Sequence, residues 1–127
     1  MIYFDNAATT RPSLAVLDCF EKESERCFAN PSSPHAFGRE ASRKLENARL
    51  SILKSLSLPN DYRVLFTSGA SESNNLAIKG IAKEYFHRGK RIITTQVEHA
   101  SVLEAFRSLE KEGFEVIFLP TKKDGTV

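Results

Sequence analysis

Apolar residues recur at a helical period in the first half of the chain and alternate between strand and helix periods in the second. Residues 2–10 read as a short strand entering a polar turn, after which Pro12 and Ser13 open a helix. That helix sets Leu14, Leu17 and Phe20 inward and stops near Cys27. Residues 28–38, containing NPSSPH with Pro31 and Pro34, read as a loop. An amphipathic helix follows, with Ala41, Leu45, Ala48, Ile52 and Leu56 on one face and Glu40 placed four before Lys44. Beyond a break at Pro59 and Asn60 the pattern predicts strand 63–66, helix 71–87, strand 91–95, helix 101–112 and strand 114–119. The β-branched runs RIITT and EVIFL suit strands buried on both faces, as in a parallel sheet under helices. The predicted class is α/β, with three strands alternating with helices in a mostly parallel sheet.

Composition narrows the function classes. A chain of 127 residues is the size of one ordinary domain, and 41% hydrophobic content suffices for a core. The net charge of +2 comes from 18 basic and 16 acidic residues mixed throughout, without the basic blocks of a nucleic-acid binder. The start, MIYFDNAATT, lacks the charge and apolar length of a signal peptide, and no run reaches membrane-spanning length, so a soluble cytoplasmic protein is expected. Cys19 and Cys27 have neither CxxC spacing nor companion histidines, so no metal is expected and buried or partly buried free thiols are the default.

The stretch FTSGASESNNLAIKG, residues 66–80, carries the most chemistry. A short apolar run turns abruptly through Thr67, Ser68, Gly69, Ala70 and Ser71 into a helix with Ile78, Ile81, Ala82, Tyr85 and Phe86. Such a turn aims backbone N–H groups, hydroxyls and a helix dipole at one point, an anion cup suited to phosphate. The plainer account is a βα connection in which Ser71 only caps the helix. No P-loop lysine and no GxGxxG spacing is present, which turns the reading away from a nucleotide. Ser101 and Glu104 have capping-box spacing, which starts the second βα helix at about Val102 and leaves His99 in the loop at the carboxyl end of strand 91–95. Ligands of open α/β sheets bind on that edge, where the SGAS turn also lies, although a lone loop histidine is commonly a surface or capping residue.

Four segments in register, DNAATT at 5–10, NPSSPHAFGREA at 30–41, FTSGASESNNLAIKG at 66–80 and TTQVEHASVLE at 94–104, resemble the N-terminal part of the cysteine desulfurases. These are pyridoxal 5'-phosphate (PLP) enzymes of the class V aminotransferase family. The resemblance implies part of a type I PLP-dependent transferase fold, with residues 1–12 near the active site and 13–127 beginning the large domain. It implies PLP phosphate binding by Gly69, Ala70 and Ser71, and a His99 that lies against the pyridine ring and takes part in proton transfer beside Glu98. Asn30 and His35 match a segment on the substrate side, although Asn30 also suits a loop-stabilising role before Pro31.

The implied reaction takes sulfur from L-cysteine to leave L-alanine and a persulfide, with a sulfur-acceptor protein as partner, service to iron–sulfur cluster assembly, and a homodimer in the complete enzyme. Relatives use a downstream Lys to bind the cofactor covalently, a downstream Asp at the pyridine nitrogen and a distant Cys to take sulfur. No segment of this chain matches those, so neither a Lys nor a Cys is assigned to catalysis. The rest of the large domain and the C-terminal small domain are likewise not matched. In the implied sheet, strand 63–66 lacks its neighbours, only 91–95 and 114–119 pair directly, and strand edges and an apolar face are left exposed. The terminal TKKDGTV carries a turn signal at Asp124 and Gly125 and reads as a cut loop. Selenocysteine lyase, another class V enzyme, and a non-catalytic remnant or split subunit remain open.

Overall fold

Side-chain acceptors just ahead of each helix decide where the helices of the first unit begin. The computed structural model describes residues 2–59 and 61–127, so Met1, and Asn60 of the expected break, lie outside the described residues. The chain divides into two compact units, Met1–Val64 and Leu65–Val127. In the first, Ser13 caps α1 (Leu14–Arg26), its hydroxyl accepting the Val16 N–H at 3.3 Å. His35 caps α2 (Ala36–Ser55) through Nδ1, which accepts the Gly38 N–H at 3.2 Å. The helix therefore starts inside the stretch expected to be loop, because an imidazole on extended backbone supplies the acceptor that a Ser or Asp usually gives.

Other expectations for this unit are corrected. Residues 2–5 form no strand; the chain instead turns back, with the Ala8 N–H on the Asp5 carbonyl at 3.1 Å and the Tyr3 hydroxyl 2.9 Å from the same oxygen. Leu14, Leu17 and Phe20 are 78%, 44% and 73% exposed, so α1 buries none of its residues. Its link to α2 is an ion pair, Glu23 with Lys44, in which the carboxylate's hydrogen bond raises the lysine pKa. The buried residues of α2 are Gly38, Ala41 and Leu53, while the expected Leu56 is exposed.

The second unit runs α3 (Ala70–Glu84), a 3-10 turn (Phe86–Arg88), β1 (Arg91–Thr95), α4 (Ala100–Lys111) and β2 (Glu115–Leu119). The strands pair in parallel, with Arg91 opposite Glu115 and Thr95 opposite Leu119, as the alternation of periods predicts. The ladder extends from Glu115 N–H to the Lys90 carbonyl at 2.8 Å and from Gln96 N–H to the Leu119 carbonyl at 3.0 Å. Residues 63–66 lie outside this two-stranded sheet and form no strand; the Val64 carbonyl accepts from Arg49 Nε at 3.2 Å, a side chain and not a strand neighbour. The expectation of burial on both faces also fails: Thr94 is buried but Ile93, on the opposite pleat, is 58% exposed. Ala105, Phe106 and Leu109 of α4 form the core.

A glycine ends α4. Gly113 takes φ 88°, and its N–H reaches the Glu110 carbonyl while the Phe114 N–H reaches that of Leu109, both at 3.0 Å. This Schellman turn drops the chain directly into β2. At the end of the chain Gly125, φ 86°, makes the expected turn, with the Thr126 N–H on Asp124 Oδ1 at 3.0 Å. Among the described residues no helix is long and apolar enough to cross a membrane.

Candidate functional site

A hydrogen bond and an ion pair fix α3 and α4 side by side and parallel. Near their starts the Asn74 amide donates to Ser101 Oγ at 2.9 Å, and near their ends Lys83 Nζ lies 2.8 Å from a Glu112 carboxylate oxygen. Both helix N-termini, and the turns that lead into them, therefore share one rim of the second unit. The SGAS turn and the histidine loop meet there as expected, but the packing of α3 on α4 brings them together and not a shared sheet edge, since residues 63–66 add no strand.

The turn is shaped by its own hydroxyls. Thr67 donates to the Gly69 carbonyl at 3.2 Å, and since a hydroxyl has one proton, Ser73 must donate in the 2.7 Å contact with Thr67. The Ser68 N–H and hydroxyl both go to Glu72 Oε2, at 2.7 Å each. Those bonds, the backbone one first, hold the Glu72 carboxyl below its ordinary range. Gly69 is the N-cap of α3 and gives no side-chain cap; Ser71 lies inside the first turn, so the plain capping role considered for it is not realised. The first bond of the helix runs from the Ser73 N–H to the Gly69 carbonyl at 3.1 Å, which leaves the N–H groups of Ala70, Ser71 and Glu72 outside the helical ladder. A Cβ built on Gly69 would meet nothing within 4 Å, so the turn is open to an approaching group.

His99 is the N-cap of α4, its Nδ1 accepting the Ser101 N–H at 3.2 Å. The helix thus begins at Ala100 and not at about Val102, and Ser101 is not the cap; Glu104 pairs with Arg107 instead of closing a capping box. Histidine wins the cap because its backbone, φ −58° and ψ 147°, is extended while Ser101 is already helical. Glu98 accepts from the Thr95 hydroxyl at 2.8 Å and so braces the end of β1.

Asn30 and His35 lie in the first unit and act locally there. Asn30 Oδ1 accepts the Ser32 N–H at 2.9 Å in an Asx turn, and the Asn30 carbonyl accepts the Ser33 N–H at 3.0 Å. The loop is packed on Gly38, whose added Cβ would come 2.2 Å from the Ser33 carbonyl oxygen and 2.9 Å from that of Asn30. Cys19 is exposed rather than buried, Cys27 is half-buried, and both are free thiols. Sequence reasoning missed Asn74, Glu72 and Gly38. Paired asparagines, Asn74 and Asn75, inside a helix of otherwise ordinary formers were the one available signal.

The α/β layer with a polar rim at its helix starts belongs to a recognised family: the class-V aminotransferase family model matches residues 2–127, and the chain belongs to it. Within that family its relatives are cysteine desulfurases. It is 45% identical over 126 residues to the cysteine desulfurase IscS of Dictyoglomus turgidum, covering 99% of this chain and 32% of that protein. The human cysteine desulfurase is 45% identical over 127 residues, with 28% of its length covered. Among solved structures a NifS-like protein superposes with a TM-score of 0.85 at 38% identity, over 94% of this chain and 33% of its own. SspA in complex with cysteine gives 0.81 at 39% identity, over 94% and 34%. The chain spans about a third of the length of the relatives it matches.

The donor set suits the phosphate of the family's cofactor. The Ser68 donors are already engaged by Glu72, but the N–H groups of Ala70, Ser71 and Glu72 lie outside the helical ladder at the start of α3, next to the open Gly69.

Proposed function

We propose that this chain forms the cofactor-phosphate cup and part of the substrate side of a PLP-dependent cysteine desulfurase, whose reaction takes sulfur from L-cysteine to leave L-alanine and a persulfide. The supporting observation is the tie from Asn74 to Ser101, which sets the N–H groups of the SGAS turn beside His99 on one rim. Gly69, Ala70 and Ser71 bind the phosphate, through backbone N–H groups and the Ser71 hydroxyl. The lack of a side chain at Gly69 lets the anion approach the backbone closely. PLP, when bound, supplies the electron sink for carbon–sulfur cleavage, and the protein supplies orientation and proton transfer.

His99 covers the ring and handles a proton at Nε2, because its Nδ1 is held by the first turn of α4. The family resemblance assigns Asn30 and His35 to the substrate side; within the first unit His35 Nδ1 and Asn30 Oδ1 are engaged in holding the loop.

The test compares two substitutions in a full-length polypeptide carrying this sequence. Ser71→Ala removes one hydrogen bond to a charged group, about 1.5 to 3 kcal/mol, so PLP affinity falls about ten- to a hundredfold while bound cofactor still supports turnover. His99→Ala keeps more PLP and loses about a hundredfold or more in single-turnover alanine formation. Normal affinity in the first together with normal turnover in the second would reduce both loops to ordinary connections.

A further inference from the structure

The contacts among Asn74, Ser101 and His99 form a chain in which every donor can be assigned. Nδ1 of His99 lies 3.2 Å from the Ser101 N–H, and a backbone N–H can only donate, so Nδ1 carries its lone pair there. The Asn74 amide nitrogen likewise can only donate, and it places its hydrogen on Ser101 Oγ at 2.9 Å. The remaining 2.9 Å contact, between Ser101 Oγ and His99 Nδ1, then has one consistent direction: the hydroxyl gives its proton to the ring. The carboxylate next in sequence, Glu98, is held by the Thr95 hydroxyl at 2.8 Å.

We infer that Ser101 and Asn74 are positioning residues that hold the neutral His99 ring in one tautomer, with its proton on Nε2. Ser101 supplies a second donor to Nδ1, and Asn74, from the neighbouring helix, orients that hydroxyl by occupying one of its lone pairs. Moving the ring proton to Nδ1 would set it against the Ser101 N–H and force the hydroxyl to turn away. The consequence is that Nε2 carries the ring N–H and acts as a donor. That consequence for chemistry rests on the function proposed for His99, whereas the tautomer itself rests only on the three contacts.

The two can be tested apart. Imidazole nitrogens of the 15N-labelled chain, without PLP and at alkaline pH, report the tautomer directly through long-range nitrogen–proton correlation. The expected result is a pyridine-like Nδ1 and a pyrrole-like Nε2 in the wild type. In Ser101→Ala the Nδ1–H population should rise severalfold, and Ser101→Thr, which keeps the hydroxyl, should restore the wild-type pattern. Asn74→Ala should give a smaller rise in the same direction, and no further rise when added to Ser101→Ala. An Nδ1–H ring in the wild type, or an unchanged ratio in folded Ser101→Ala, overturns the inference. If Ser101→Ala does not fold, Asn74→Ala decides, and an unchanged ratio there overturns it. Because no cofactor is present, a failure of PLP binding would leave this result standing, and a failure here would leave the phosphate cup untouched.

Discussion

The carboxylate of Glu72 closes back on Ser68, accepting both its N–H and its hydroxyl at 2.7 Å. An anion of the chain's own thus sits on the turn that leads into α3, and its bonds lower its pKa from the ordinary 4.5. A group whose folded pKa is depressed contributes stability that is present above its unfolded pKa and is lost as pH falls through the folded one. Acidification below about 4.5 should therefore loosen the start of α3, and Glu72→Gln should remove that part of the pH dependence. In Ser68→Ala the hydroxyl bond is gone but the stronger backbone bond stays. The Glu72 carboxyl, followed by carbon-13 titration, should move up part of the way; a return to the full ordinary value would mean that the backbone bond is unimportant.

Gly38 is the point where the NPSSPH loop touches α2. Helix propensity alone favours Ala over Gly by about 1 kcal/mol in a helix interior. The tertiary contact opposes it, because a Cβ there would lie 2.2 Å from one backbone carbonyl oxygen and 2.9 Å from another. Neither can yield without breaking the turn closed by the Ser33 N–H on the Asn30 carbonyl at 3.0 Å. Gly38→Ala should destabilise the chain by about 1 to 3 kcal/mol in urea unfolding. Stabilisation would show that the loop does not rest on this glycine.

Ser57 ends α2 in the left-handed region, φ 53°, with its N–H on the Lys54 carbonyl and the Leu58 N–H on that of Leu53, both at 3.0 Å. The turn has the form that Gly113 makes after α4, with a side chain where glycine is unstrained. Ser57→Gly should stabilise by up to about 1 kcal/mol, read as a higher denaturation midpoint with an unchanged slope. A lower midpoint would mean that the serine side chain contributes more than the backbone costs.

Two changes on the second unit should differ sharply. Lys83 and Glu112 are 57% and 39% exposed, so Lys83→Ala should cost less than about 1 kcal/mol and less still in high salt. Leu109 is fully buried, and Leu109→Ala should cost about 2 to 5 kcal/mol. Equal effects in the same unfolding experiment would mean that the helices are held by their polar ties and not by the core.

Local spacing by itself determined the helices, the strands RIITT and EVIFL, and the tight polar turn between an apolar run and α3, because periodicity and turn chemistry are properties of neighbouring residues. It also placed the SGAS turn and His99 on one rim, which the parallel packing of α3 and α4 supplies in place of the expected third strand. What tertiary structure decided depends on groups distant in sequence. Residues 63–66 carry strand composition yet form none, because the segment does not join the β1–β2 ladder and the Val64 carbonyl is taken by the Arg49 side chain. Leu14, Leu17 and Phe20 make an apolar stripe that stays exposed, because a stripe is buried only where another surface covers it. His99 rather than Ser101 caps α4 because the backbone angles of the loop, invisible in the residue types, bring an imidazole into the acceptor position. The Asn74–Ser101 bond, which gives that histidine a defined ring proton, required two helices to pack in parallel before either side chain had a partner.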